Sequence, residues 1–351
     1  MRLFSTEQVT KYHPDKFADQ ISDAVLNACL EKDKNSRVAC ECMVKGDTVI
    51  LAGEITTKAK IDYGEIVAKV AKKLGYKVGT GIDLVGDQSP EIAGGVKSGK
   101  DLRAGDQGIM FGYACNESES GLPYAFDLAN KLTLLLELAT EKPDSALKGD
   151  AKVQVTVDLD KPADHRSLVK ILISVCHKAV CSLEGVRRYV TRLIDESGID
   201  IGAAELIINP AGRWTVGGPM ADCGLTGRKI VCDQYGGFCP VGGGAFSGKD
   251  PSKVDRSAAY MANHIARRLL KKYGLEYCEV QLAYAIGEAE PMSVIVKSNR
   301  PNHDSFYIDE VKQEYDLTPY GIIKHLDLLN VDYEKLAEGC HYRAELPKRK
   351  K

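Results

Sequence analysis

One local order recurs three times along this chain: an amphipathic helix, two extended runs and a second helix. From Pro14 to Glu31, Phe17, Ile21, Ala24, Val25, Ala28 and Cys29 share one helical face, and Pro14 suits the first helical position. The runs RVACECMV and TVILAGEIT follow, joined by Lys45-Gly46-Asp47, which is a hairpin signature. A helix near Asp62–Leu74 then presents Ile66, Val67, Val70 and Leu74. The order returns as Tyr124–Glu141, Lys152–Leu159, Lys170–Cys176 and Leu183–Ser197, and again as Pro251–Tyr273, Cys278–Ile286, Met292–Lys297 and Tyr307–Tyr315. The hairpins begin near Val38, Val153 and Val280. This spacing reads as three α+β units, each a sheet with helices on one face. The units share little residue identity, and coincidence is the alternative, since helices and hairpins are common.

At 351 residues the chain has room for two or three domains. Its net charge of −2 gives no global attraction to nucleic acid or anionic membrane. No apolar run approaches membrane-span length, and the start, MRLFSTEQVTKYHPDK, turns polar too soon for a signal peptide. The 11 cysteines are scattered without a CxxC pair, which fits reduced, packed thiols in a cytoplasmic protein. The terminal KRKK reads as a solvated, disordered tail.

Chemistry concentrates in GGGAFSGKDPSKVDR, residues 242–256. Glycine lets backbone N–H groups approach an anion, and lysine answers phosphate charge. Gly243 and Gly248-Lys249 match most of a Walker A loop, but Asp250 stands where a P-loop needs Ser or Thr. The stretch therefore reads as a polyphosphate site that is not a P-loop. His13-Pro14-Asp15-Lys16 opens the first helix, whose N-terminus attracts anions. His13 can donate to an oxyanion and Asp15 can hold a hard cation; plain capping with a solvated His13 is equally open. Glu41 and Glu54 sit on the first hairpin, either facing a cation or ligand amine or on a solvated sheet face. Asp150-Ala151-Lys152 starts a strand, and Arg213-Trp214 holds the single tryptophan, available for stacking or for a core. Asp222, Arg228 and Lys229 lie in a polar glycine-rich loop, and Asp255 could be a second metal carboxylate. The segment Val85–Gly108 reads as a lid or as a linker. Together these residues suit a triphosphate with Mg²⁺, with the transferred group left open.

HPDKFADQISDAVLNACL, AGDQGIMFGYACNE, GGPMADCGLTGRKIVCDQYGG and GGGAFSGKDPSKVDRSAAY, in that order, resemble S-adenosylmethionine synthetases. The resemblance runs from about Phe4 to Tyr342. It implies three interleaved α+β domains with pseudo-threefold symmetry, taken here as 1–90, 106–217 and 218–345. Residues 91–105 would be a linker and 346–351 a basic tail. The implied reaction joins ATP and L-methionine: sulfur attacks ribose C5′, tripolyphosphate leaves, and the same site hydrolyses it to phosphate and diphosphate. A thioether is a good neutral nucleophile, so the demand falls on cations that stabilise the leaving group.

By resemblance, His13, Lys152, Arg228, Lys229 and Lys249 would be catalytic. Asp106, Asp150, Ala151, Arg213, Trp214, Asp222 and Ala245 would join them in binding ATP. Glu54, Gln88, Asp222, Lys253 and Ile286 would bind methionine. Asp15 and Asp255 would hold Mg²⁺, about two ions per site, and Glu41 would hold one K⁺. Residues 88–102 would be a gating loop. The site would form between subunits of a homodimer or homotetramer, with Asp106 reaching across. The chain departs from the family at Tyr12, where Gly is usual, and in a shorter loop and middle unit. Two other readings stay open here: a different phosphotransferase using the Gly243–Lys249 loop, and a weak or regulatory nucleotide-binding homologue, which Tyr12 alone supports.

Overall fold

The computed structural model describes residues 1–86 and 99–349. Gln88 and the 88–98 part of the expected gating loop lie outside the described residues. The first unit is α1 (Pro14–Lys32), the hairpin β2 (Arg37–Lys45) and β3 (Thr48–Thr56), and α2 (Tyr63–Leu74). The second is α3 (Tyr124–Thr140), β6 (Leu147–Asp158), β7 (Leu168–His177) and α4 (Leu183–Ser197). The third is α6 (Val254–Tyr273), β10 (Tyr277–Tyr284), β11 (Ser293–Ser298) and α7 (Asp304–Glu314). The three-unit reading of the sequence therefore holds. Several boundaries move: β6 starts at Leu147 rather than Lys152, α7 at Asp304 rather than Tyr307, and α6 only at Val254, because Pro251 and Ser252 sit in a turn in which the Ser252 N–H donates to Asp250 Oδ1 at 2.9 Å.

Each hairpin is completed by a strand from elsewhere in the chain. β1 (Leu3–Val9) runs antiparallel to β6, pairing Leu3 with Asp158 and Val9 with Lys152. β5 (Gly108–Cys115) runs antiparallel to β10. The two-residue β9 (Gly224–Leu225) runs antiparallel to β2. In every case the first strand of the hairpin accepts the added strand. Parallel strands β4 (Thr80–Gly86) and β8 (Glu205–Ile208) cover the far sides of β3 and β7. The units are thus interleaved through backbone hydrogen bonds, and a segment of the third unit is carried onto the first.

The cores follow this interleaving. The first and third units share one apolar core, in which Phe17, Ile21, Val38, Ile265 and Val280 are buried. The middle unit keeps its own, built from Leu132, Val153, Ile173 and Val190. The cysteines are free thiols, most of them buried. Among the described residues no helix is long and apolar enough to cross a membrane. Three short α-helices remain, α5 (Ile230–Asp233), α8 (Pro319–His325) and α9 (Tyr333–Leu336), and among the described residues there are five 3-10 turns, the first at Gly99–Asp101.

Candidate functional site

α1 is buried around most of its circumference, and its polar residues must therefore find partners. Asp15, Asp19 and Asp23 recur every fourth residue and so share one face. Each accepts a backbone N–H from a glycine-rich loop of the third unit. Leu225 donates to Asp15 Oδ1 at 2.9 Å, Gly227 to Asp19 Oδ1 at 2.8 Å, and Gly248 to Asp23 Oδ1 at 2.9 Å. This ladder fixes both loops against the helix and brings Arg228 and Lys229 to Asp15 in its first turn. Asp19 and Asp23 escaped the sequence reading, although their spacing is visible in it.

The delivered cations meet the expected metal carboxylates. Lys229 Nζ lies 2.5 Å from Asp15 Oδ2, and Arg228 Nε lies 3.7 Å from Asp15 Oδ1. Lys249 Nζ lies 2.5 Å from Asp255 Oδ2. Burial pushes the Asp15 carboxyl up, but the Lys229 hydrogen bond and the Leu225 N–H outweigh it and hold the group below its ordinary range. Lys253 turns to Asp250, a buried carboxylate that also accepts the Val38 N–H at 2.7 Å. Asp250 is therefore a bolt between this loop and β2.

His13 caps α1, and its Nδ1 accepts the Asp15 N–H at 3.2 Å. Burial, then the Lys229 charge, lower its pKa to about 4. The ring is neutral near pH 7, so its 3.8 Å approach to Asp15 Oδ2 is not an ion pair. An N–H can only donate, so the Nδ1 lone pair is taken and the proton sits on Nε2. His13 thus presents a neutral N–H donor. Lys152 and Asp222 act on the same ring through their charges, which places both nearby.

The glycine-rich loop does something other than expected. The Gly248 N–H is spent on Asp23 rather than free for an anion. Its φ of +80° is in the left-handed region, and a Cβ there would stand 1.9 Å from the Cys40 carbonyl oxygen. Glycine here permits close packing on β2, and the Lys249 side chain stays partly exposed beside Asp255.

The Tyr12 ring packs on Gly149, near Glu137 of α3 and Glu141 at the end of that helix. The Tyr76 hydroxyl donates to the Tyr12 carbonyl, and Tyr76 in turn packs on Gly218. The Gly218 N–H donates to Asp150 Oδ2 at 2.6 Å. Burial raises the Asp150 pKa to about 6, against the Gly218 hydrogen bond. Asp150 Oδ1 is buried with no protein partner. A Cβ at residue 149, where φ is +95°, would stand 2.5 Å from Tyr12 Cγ. Gly149→Ala is expected to cost about 1–3 kcal/mol. Adding Tyr12→Gly is expected to cost less than the sum of the two single changes, because the vacated ring volume admits the methyl. Urea denaturation of the four proteins checks this, and additive costs would show that the ring is not the obstacle.

The remaining expected residues are spread around this centre. Ala245 lies against Gly227, and Ala151 is buried in β6 next to Lys152. Glu41 has a raised pKa, from desolvation first and then from Glu54, with Lys249 and Lys253 opposing. Trp214 is held by its Nε1–H on the Val216 carbonyl at 2.7 Å, and Arg213 donates to the Ala179 carbonyl at 2.6 Å. Asp106 and Ile286 are exposed near the ends of β5 and β10. No hydrogen bond or ion pair among the described residues ties either to the His13 cluster. A cavity of about 570 Å³ between α2 and the β3–β4 pair, lined by Val49, Leu51, Tyr63 and Val67, contains none of these groups.

Comparison with known proteins matches this arrangement to one family along nearly the whole chain. Residues 1–88, 101–214 and 216–350 match the N-terminal, central and C-terminal domains of S-adenosylmethionine synthetase. The S-adenosylmethionine synthase of Brachyspira hyodysenteriae is 44% identical, over 98% of this chain and 94% of the relative. That of a Nitratiruptor species is 43% identical, over 98% and 94%. A solved S-adenosylmethionine synthetase of Campylobacter jejuni, described as unusual, superposes with a TM-score of 0.88 at 32% identity, covering 98% of this chain and 97% of that one. With three domain matches in order and two relatives above two-fifths identity, this chain belongs to the S-adenosylmethionine synthetase family, the methionine adenosyltransferases.

Proposed function

We propose that this protein makes S-adenosylmethionine from ATP and L-methionine at the His13–Asp15–Lys229 centre. The sulfur lone pair forms the new bond to ribose C5′, and the C5′–O bond breaks with its electrons leaving on tripolyphosphate. The same site then adds water to tripolyphosphate, giving phosphate and diphosphate. The observation that carries this reading is the aspartate ladder of α1, which sets Lys229 beside a neutral His13 N–H, with Arg228 near Asp15 and Lys249 on Asp255. Such preorganised donors stabilise charge that grows on a leaving oxygen, and no general base is needed for a neutral sulfur.

His13 would donate to the leaving oxygen, and Lys152, Arg228, Lys229 and Lys249 would surround the phosphates. Asp150 Oδ1, a buried acceptor, suits a hydroxyl of the nucleotide, with Ala151, Arg213, Trp214, Asp222 and Ala245 as further contacts. Glu54, Gln88, Asp222, Lys253 and Ile286 would receive methionine. The donor set fits Mg²⁺: Asp15 and Asp255 are separate hard carboxylates, and Mg²⁺ is typically held by one or two carboxylates plus substrate phosphates. About two Mg²⁺ ions would neutralise the triphosphate, and one K⁺ at Glu41 would offset the crowding with Glu54. Asp106 and Ile286 are read as serving the site of a second copy in a homodimer or homotetramer.

Tyr12, packed on Gly149, gives no support to a non-catalytic homologue. The test is incubation with ATP, L-methionine, Mg²⁺ and K⁺, followed by mass spectrometry. S-adenosylmethionine with phosphate and diphosphate is expected. ADP or AMP would point instead to a phosphotransferase, and bound ATP without product to a regulatory homologue.

A further inference from the structure

Two histidines outside this site meet on the surface of the third unit. His264 lies in the middle of α6, partly buried, and His325 ends α8, exposed. Their Nε2 atoms are 3.1 Å apart. The ring centroids are 4.9 Å apart and the planes are inclined by 72°. Tyr315 stands edge-on to both rings, at 5.9 and 5.2 Å, and limits how far either can swing.

Two imidazole nitrogens at this separation can share a proton, or they can share a metal ion. With bonds of about 2.0–2.1 Å to one cation, nitrogens 3.1 Å apart subtend an angle of about 95–100°. That value falls between the right angle of an octahedral or square site and the tetrahedral angle. Only modest ring rotation is needed to aim both lone pairs at a common point.

We propose that His264 and His325 form a two-histidine site for a borderline divalent cation of the zinc or nickel class, with water completing its coordination. Imidazole suits such ions, whereas Mg²⁺ and K⁺ prefer oxygen. The setting agrees with this. Burial, then the neighbouring His325 and Arg268, lower the His264 pKa and so disfavour its charged form. Arg268, one turn further along α6, would repel a cation if unopposed. It is paired with Glu310 at 3.0 Å and with Glu314, and Lys272 shares Glu310 at 2.8 Å, so two acids balance the two cations. Among the described residues no third His, Cys, Asp or Glu joins to form a closed cage. The site is therefore open and exchangeable. An ion in it clips α8 to α6, the helix whose first turn carries Asp255.

The experiment is calorimetric titration of the full chain with nickel chloride at near-neutral pH, with Mg²⁺ in excess to occupy hard carboxylate sites. One ion per chain is expected, together with a rise in Tm. In His325→Ala the affinity is expected to fall by at least about tenfold, and the Tm rise to vanish. His325 is exposed, so the metal-free Tm of the variant should match the parent and separate lost binding from lost folding. His264→Gln should lose the ion equally. Unchanged stoichiometry and affinity in His325→Ala, or no binding by the parent protein, would overturn the assignment and leave the pair as a hydrogen bond.

Discussion

Lys249→Ala is expected to lower the rate of S-adenosylmethionine formation by about 10²–10³-fold while leaving the fold intact. The two halves of this expectation rest on different atoms. The backbone of the loop is held without the side chain: the Gly248 N–H is on Asp23, the Cys40 N–H donates to the Gly248 carbonyl at 3.0 Å, and Arg256 donates to the Lys249 carbonyl at 3.0 Å. The side chain itself contributes one partly exposed contact to Asp255. Pairs of that kind are worth at most about 1 kcal/mol, so the urea midpoint should barely move. Its ammonium, in contrast, is one of the few charges that can oppose the growing charge of a leaving triphosphate. Lys249→Arg keeps the charge but replaces a compact ammonium by a planar fork, and should fall between parent and alanine. Activity of the alanine variant within threefold of the parent, at an unchanged midpoint, would mean that the phosphate site has been placed wrongly.

What could be read from the sequence was what is local. The helices and hairpins announced themselves because each carries its period within some twenty residues. β9 could not be seen, since Gly224-Leu225 is too short to have a period and its partner Met43 is remote in the chain. The same holds for β1 and β5, whose pairing with β6 and β10 is set by topology. At the site, His13, Asp15, Lys229 and Lys249 were found because charge and glycine cluster around them. Gly248 was misread, because an N–H freed by glycine looks the same in sequence whether it meets a phosphate or Asp23. The opposite error befell Asp19 and Asp23: acids on an amphipathic helix look like a solvated face, and only the interleaved loops bury them. Tyr12, where the family usually has Gly, alone favoured a weak homologue in the sequence, and Gly149, remote along the chain, is the surface its ring covers.

Asp23→Ala is expected to cost about 3–5 kcal/mol, the largest loss from any single change at this site. Asp23 and Arg256 are both fully buried. The guanidinium meets the carboxylate through two bonds, at 2.7 and 2.6 Å, and lies 4.2 Å from the Tyr333 ring centroid. Burial opposes charge on Arg256, but Asp23 overcomes it and raises the pKa of the guanidinium, so that Arg256 stays protonated. Alanine at residue 23 therefore strands a buried cation and takes the acceptor from the Gly248 N–H. The stranded charge should dominate the loss. If so, Asp23→Ala combined with Arg256→Met should be more stable than Asp23→Ala alone, although it removes more native contacts. The double variant still lacks the Gly248 anchor, so its stability should recover further than its activity, because Lys249 hangs from that anchor. Denaturant midpoints and product formation on the same three proteins distinguish the terms. A loss below about 1 kcal/mol in Asp23→Ala, or a double variant no more stable than the single, would show that the ladder's last rung is not what holds the loop.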